Sequence, residues 1–259
     1  MARPARSASV LALALALGAC AGSPPAPARL AEEALGFNQR AAQAYARADY
    51  AQARALYERA LEIDAGTDNT DGVAMNLLSL ARVNQALGEA DAAHRELDRV
   101  LGSRAAPGWR AEAAARKAQL YLATGELTSA DEWLGRAQAL CGQCRAQAAI
   151  LNLGARIALA GAQPALAAQR AARALQLPVN DDSRAERANA QRILGEAKMA
   201  QGDTEGAAEA FRQALRIDQA LGLAGRIQLD QKLVDAAELK LRQQRLASPT
   251  VGGQSGEIR

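Results

Sequence analysis

The sequence predicts an all-α fold, a solenoid of stacked helix pairs, and three observations carry that expectation. The first is composition. Of the 259 residues 49% are apolar and 23% charged, ordinary values for a folded soluble chain, but only 3% are aromatic. A β-sandwich or barrel draws on Val, Ile, Thr, Tyr and Phe, whereas this chain is rich in Ala, Leu, Glu, Arg and Gln, the strong helix formers. The second is a pair of near copies, ADYAQARALYERALEID from Ala48 to Asp64 and GDTEGAAEAFRQALRID from Gly202 to Asp218, each ending in Ile-Asp. The third is a set of weaker copies between them, at Gly88–Leu101, Gly125–Leu140 and Gly161–Pro178.

The chain opens on an address. Arg3 and Arg6 precede an apolar run from Val10 to Leu17. A membrane span needs about 20 apolar residues, so this run is too short, but it has the size of a signal-peptide core. It ends in Leu17, Gly18, Ala19 and Cys20, which resembles the bacterial lipobox. The resemblance implies a signal peptide over 1–19, cleavage before Cys20, and lipidation of that cysteine. With Ala21 rather than aspartate next, it also implies sorting to the outer membrane, with the domain facing the periplasm. The formal charge of +3, from 31 basic and 28 acidic residues, falls to about +1 once the two leader arginines are removed. That is too weak to argue for nucleic acid or for an anionic lipid surface, so the lipid anchor would hold the chain at the membrane. Residues 20–29 (Pro24, Pro25 and Pro27 among them) read as an extended tether, because proline lacks a donor and fixes φ.

The helix pairs follow. Small residues at fixed places (Ala53 and Ala60, Ala93, Ala130 and Ala137, Ala207 and Ala214) let two antiparallel helices approach. Tyr57, Leu97, Leu134 and Phe211 fill the space to the next pair. This pattern resembles the tetratricopeptide repeat. The resemblance implies a right-handed α-solenoid over 30–246, with five units at about 34–67, 74–107, 111–144, 148–181 and 188–221. In the fourth unit the second helix opens after Gly161, and Pro164 falls near its start, where proline is tolerated. A last helix from Gly225 to Leu246, apolar at Ile227, Leu229, Leu233, Val234, Ala237 and Leu241, reads as the C-terminal cap a solenoid needs. Residues 247–259, with two adjacent glycines and no periodicity, read as a disordered tail.

The repeat resemblance also implies a function: non-catalytic binding of a protein or peptide in the groove formed by the first helices, as a scaffold or adaptor in envelope or pilus assembly. The family's groove positions fall on Asn38 and Tyr45, then Met75, Arg82 and Gln85, then Glu112 and Gln119. They continue at Asn152 and Arg156, and at Asn189, Arg192 and Glu196. Asn152 and Arg156, like Asn189 and Arg192, share a helix face by spacing. Asparagine can pair with a peptide backbone and arginine can grip a carboxylate with two bonds. This loosely resembles the carboxylate clamp of co-chaperone repeat domains, without its lysines.

Cys141 and Cys144 form a CxxC, the spacing of thiol–disulfide enzymes, and a redox enzyme is the rival reading. Against it, no strand precedes the motif, and it follows a helix rather than opening one. A local disulfide in an inter-repeat turn and two free thiols are the other readings. One histidine and three cysteines leave no ligand set for zinc, and no phosphate-binding glycine loop is present. The chain is therefore expected to have no cofactor, metal, small-molecule substrate or catalytic residue. His94 reads as a surface residue, and Trp109 and Trp133 as packing residues.

Overall fold

The computed structural model describes residues 26–179 and 183–247. Among them are eleven α-helices and no strand. Ten helices form five antiparallel pairs. The first pair is α1 (Ala26–Ala46) with α2 (Tyr50–Gly66), and the second is α3 (Thr70–Ala86) with α4 (Ala90–Leu101). Then come α5 (Pro107–Ala123) with α6 (Leu127–Cys141), and α7 (Gln147–Ala160) with α8 (Pro164–Gln176). The fifth pair is α9 (Arg184–Ala200) with α10 (Thr204–Ala220), and α11 (Ala224–Ala247) packs on α10. No helix among the described residues is long and apolar enough to cross a membrane.

One backbone signature marks the turn inside every pair. Ala48, Gly88, Gly125, Ala162 and Gly202 all have positive φ, between 55° and 84°. Glycine takes this conformation without penalty, whereas an alanine there is strained. In the fourth pair the left-handed residue is Ala162 and not Gly161, whose φ is −83°. The register of that unit, open by one residue in the sequence, is therefore counted from Ala162, as the positions of Asn152 and Arg156 require. Counting from the left-handed residue aligns Ala155, rather than Gly154, with Gly195.

Packing follows the small-and-large scheme. Ala53, Ala60, Ala93, Ala130, Ala137, Ala207 and Ala214 are fully buried, and Tyr57, Leu97, Leu134 and Phe211 are buried beside them. Helices α9 and α10 meet closely at Gly195, where any Cβ would overlap the Phe211 ring. Pro164 is the first residue of α8, a place where its missing amide has no helical acceptor to lose.

Two expected boundaries move. The tether was expected to stay extended through residue 29, but α1 already includes residues 26–29. Proline is tolerated in a first helical turn, since the first four amides of a helix have no partner inside it. Similarly α11 includes Ala247, expected as the first residue of the tail. On α11, Val234 and Ala237 are buried and Leu233 and Leu241 pack against them, whereas Leu229 is exposed and does not join that face. The signal peptide, Cys20 and residues 248–259 lie outside the described residues.

Candidate functional site

The first helices of successive pairs touch one another, α3 on α5, α5 on α7 and α7 on α9, so they form the inner wall of the solenoid. Counted back from the left-handed turn residues, the predicted groove residues fall into columns. One column, six residues before the turn, holds Arg82, Gln119, Arg156 and Glu196. Another, ten residues before it, holds Asn38, Leu78, Ala115, Asn152 and Arg192.

The two columns differ in depth. In the first, Gln119, Arg156 and Glu196 are exposed and Arg82 is half-buried. In the second, Asn152 and Arg192 are only 1% and 4% exposed. Arg192 was expected to anchor a ligand and does not. Its Nε donates to Asp230 Oδ1 at 2.5 Å and its Nη2 to Asp218 Oδ2 at 2.6 Å. Asp218 and Asp230 are themselves fully buried, so the guanidinium is consumed in tying α9 to α10 and α11. Asn152, expected to align a ligand backbone, is likewise occupied inside the fold: its amide donates to the Glu186 backbone carbonyl at 2.9 Å and to Glu186 Oε2 at 2.8 Å. It joins α7 to α9 instead of facing the groove.

Arg156 and Asn189 are brought together. Arg156 Nη2 donates to Asn189 Oδ1 at 3.3 Å, across the α7–α9 seam. Glu196 sits near both arginines. The groove walls desolvate its carboxyl and raise its pKa, an effect that Arg156 and Arg192 oppose. At the other end of the solenoid Asn38 is half-buried, the Arg82 guanidinium lies 4.2 Å over the Tyr45 ring, and Tyr45 lies 5.3 Å from Tyr50. Gln85 is exposed near them and Met75 is 37% exposed. The predicted residues thus form two clusters at opposite ends of the inner wall, with Glu112 and Gln119 lying between them.

Between those clusters is a cavity that the sequence did not reveal. It holds about 580 Å³ between α5 and α7, and is lined by Trp109, Ala115, Ala149, Ile150 and Leu153, with Glu112, Arg116, Gln119, Arg145 and Glu186 around it. Arg116 Nη2 pairs with Glu112 Oε1 at 2.7 Å. A second cavity of about 460 Å³ adjoins it. Gln143, Cys144, Gln147, Pro178 and Ser183 line this one, and it shares Arg145 and Glu186 with the first. Trp109, expected only to pack, does pack against the core of α3 to α5 and also walls the cavity.

The Cys141 and Cys144 sulfurs are joined in a disulfide. It closes the turn between α6 and α7, immediately before Arg145. Cys141 is the last residue of α6, the negative end of that helix, which would disfavour a reactive thiolate there.

His94 is not a free surface residue. It is half-buried, with its ring 5.0 Å from the Tyr121 ring. Burial first, and then the nearby Lys117 ammonium, hold it below the ordinary histidine range. Lys117 is itself buried, donating to Asp98 at 2.6 Å and lying 4.3 Å over the Trp133 ring.

The fold is a tetratricopeptide-repeat α-solenoid with a C-terminal capping helix. A tetratricopeptide-repeat family model matches residues 193–221, which include the C-terminal part of α9 and all of α10. Among solved structures, pilF of Pseudomonas aeruginosa is 16% identical, with 85% of this chain and 95% of that one covered and a TM-score of 0.55. The nearly identical TPR-like repeats of a Podosopora anserina protein are 20% identical over 77% of this chain and 99% of that one, with a TM-score of 0.53. BtubC of P. vanneervenii is 19% identical over 91% and 98%, with a TM-score of 0.50. At these identities the likeness is one of fold. No curated protein matches the sequence.

Proposed function

We propose that the chain is a non-catalytic protein-binding scaffold, tethered by lipid on Cys20 to the outer membrane and facing the periplasm, where it serves envelope or pilus assembly. The observation that carries the binding reading is the inner wall. Its exposed column of Gln119, Arg156 and Glu196 adjoins an open, largely apolar cavity between α5 and α7. A solenoid of this kind supports partner binding on its concave side. The anchoring part rests on the sequence at Leu17 to Cys20, and the pathway on the general plan of repeat lipoproteins.

Two experiments test it. Palmitate labelling and membrane fractionation should both be lost in Cys20→Ser, and wild-type protein recovered wholly in a soluble fraction refutes the anchor. A photo-crosslinker at Gln119 should trap a specific protein in cells, while one at Arg95, exposed on α4, should not. Equal capture from both positions refutes the groove.

A further inference from the structure

Resting on the protein-binding reading, we propose that the two adjoining cavities form one trough across the first helices α5, α7 and α9, and that it takes an extended, uncharged peptide segment carrying a single bulky apolar side chain. Both volumes, about 580 and 460 Å³, lie in the range of specific recognition sites. They share Arg145 and Glu186, so a ligand leaving one enters the other at that pair. The first compartment exists because small side chains stand at Ala115 and Ala149, where other repeats carry Leu78 and Met75 or Asn152 and Asn189 in the same columns. Its floor of Trp109, Ile150 and Leu153 suits one large apolar group.

Beyond Arg145 and Glu186 the lining is mixed, with Gln143 and Gln147 from the disulfide turn and the start of α7 standing beside Ala148, Leu177 and Pro178. An amide side chain both donates and accepts, which matches a peptide backbone. A partner helix is about 10–12 Å across and would need an apolar stripe repeating at i, i+3, i+4 and i+7. Here the apolar lining beyond the first compartment comes from separate segments, Ala148 on α7 and Leu177 and Pro178 after α8, interrupted by Gln143 and Gln147, rather than from one continuous stripe. An extended segment, with one anchor and a solvated backbone running on, matches that sequence of surfaces.

Charge points the same way. Glu112 is paired with Arg116 and Glu186 accepts from Asn152. Among the described residues that line it, the trough therefore presents two acids and two bases, with no excess of either sign for a charged ligand to seek.

The test uses the full chain with Trp133→Phe, which leaves Trp109 as the single tryptophan of the two in the sequence. Displayed random heptapeptides are panned on it. Enriched sequences should share one Trp, Phe, Leu or Met between uncharged flanks, and a synthetic member should shift Trp109 fluorescence. Its affinity should change less than about twofold when salt is raised beyond physiological strength, and fall at least about tenfold in Ala149→Trp. Ala149→Glu should cause the same loss, should the larger residue distort the helix pair. Absence of enrichment, enrichment of acidic, basic or amphipathic helical peptides, or binding indifferent to both variants overturns the proposal. A protein crosslinked at Gln119 that binds Ala149→Trp as well as wild type overturns the trough alone and leaves the scaffold reading standing.

Discussion

Asp230 occupies, relative to the buried Asp218, the place that Asn76 occupies relative to the buried Asp64: each lies twelve residues further along the chain, on the next helix. In the first case the Asn76 amide donates to Asp64 Oδ2 at 2.7 Å, and the Asn69 amide donates to Asp64 Oδ1. In the second, two carboxyl groups face each other with Arg192 between them. An amide can satisfy a neighbouring carboxylate by itself, but two buried acids need a cation or a proton.

Arg192→Ala should therefore lower stability by about 3–5 kcal/mol, since it leaves buried acids uncompensated. Arg156→Ala, on an exposed side chain two helices earlier, should stay within about 0.5 kcal/mol. Urea midpoints of the two variants decide the matter. Equal, small losses would show that the Arg192 cluster contributes nothing to the fold.

The pH dependence has a definite sign. Burial raises the Asp218 carboxyl above 3.8, Asp230 adds to the rise, and Arg192 and Arg226 oppose it. The folded chain therefore holds this proton more readily than the unfolded one. Asp218 then contributes increasing stability as pH falls from neutrality through its raised value toward 3.8. In Asp218→Asn that increment should vanish, flattening the acid side of the stability profile. A mutant profile parallel to the wild type across the whole acid side, down to 3.8, would contradict it.

Gly195→Ala should destabilise even though alanine is the better helix former by about 1 kcal/mol. The new methyl falls within the Phe211 ring, and overpacking of this kind costs about 1–3 kcal/mol. The double variant Gly195→Ala with Phe211→Leu should recover part of the loss. Thermal melts of both variants read the effect, and a more stable single variant would refute it.

Reducing the Cys141–Cys144 disulfide should cost no more than about 2 kcal/mol, because the loop it closes spans only four residues and constrains the unfolded chain little. A chemical denaturation series with and without a thiol reductant measures this. Unfolding of the whole chain on reduction would show that the turn before Arg145 holds far more of the structure together.

The helix pairs were legible in the sequence because their packing is local: an alanine at a fixed distance from a turn must face its own partner helix. The groove was less so. Arg192 shares a face with Asn189 by spacing, and spacing does not say whether a face is wet. That depended on Asp218 and Asp230, which lie 26 and 38 residues further along. One signal was present. Both near-copy segments end in Ile-Asp, and a repeated acid at a helix end inside a packed array needs a partner. The cavity beside Trp109 left no comparable trace, since it arises from the absence of side chains at Ala115 and Ala149.

Arg192 also sets the order in which the molecule comes apart. A solenoid loses structure from its ends, each unit held by its neighbours. α11 bears Asp230 and cannot leave without stranding the charge on α9 and α10, so amide hydrogens of these three helices should exchange with deuterium together, as one cooperative block. α1 is held to its neighbours through alanines and the contacts of Tyr45 with Tyr50 and Arg82, with no buried ion pair like that of Arg192 among the described residues there. Its amides should exchange ahead of that block, so the end nearer the proposed lipid anchor is the one that opens first.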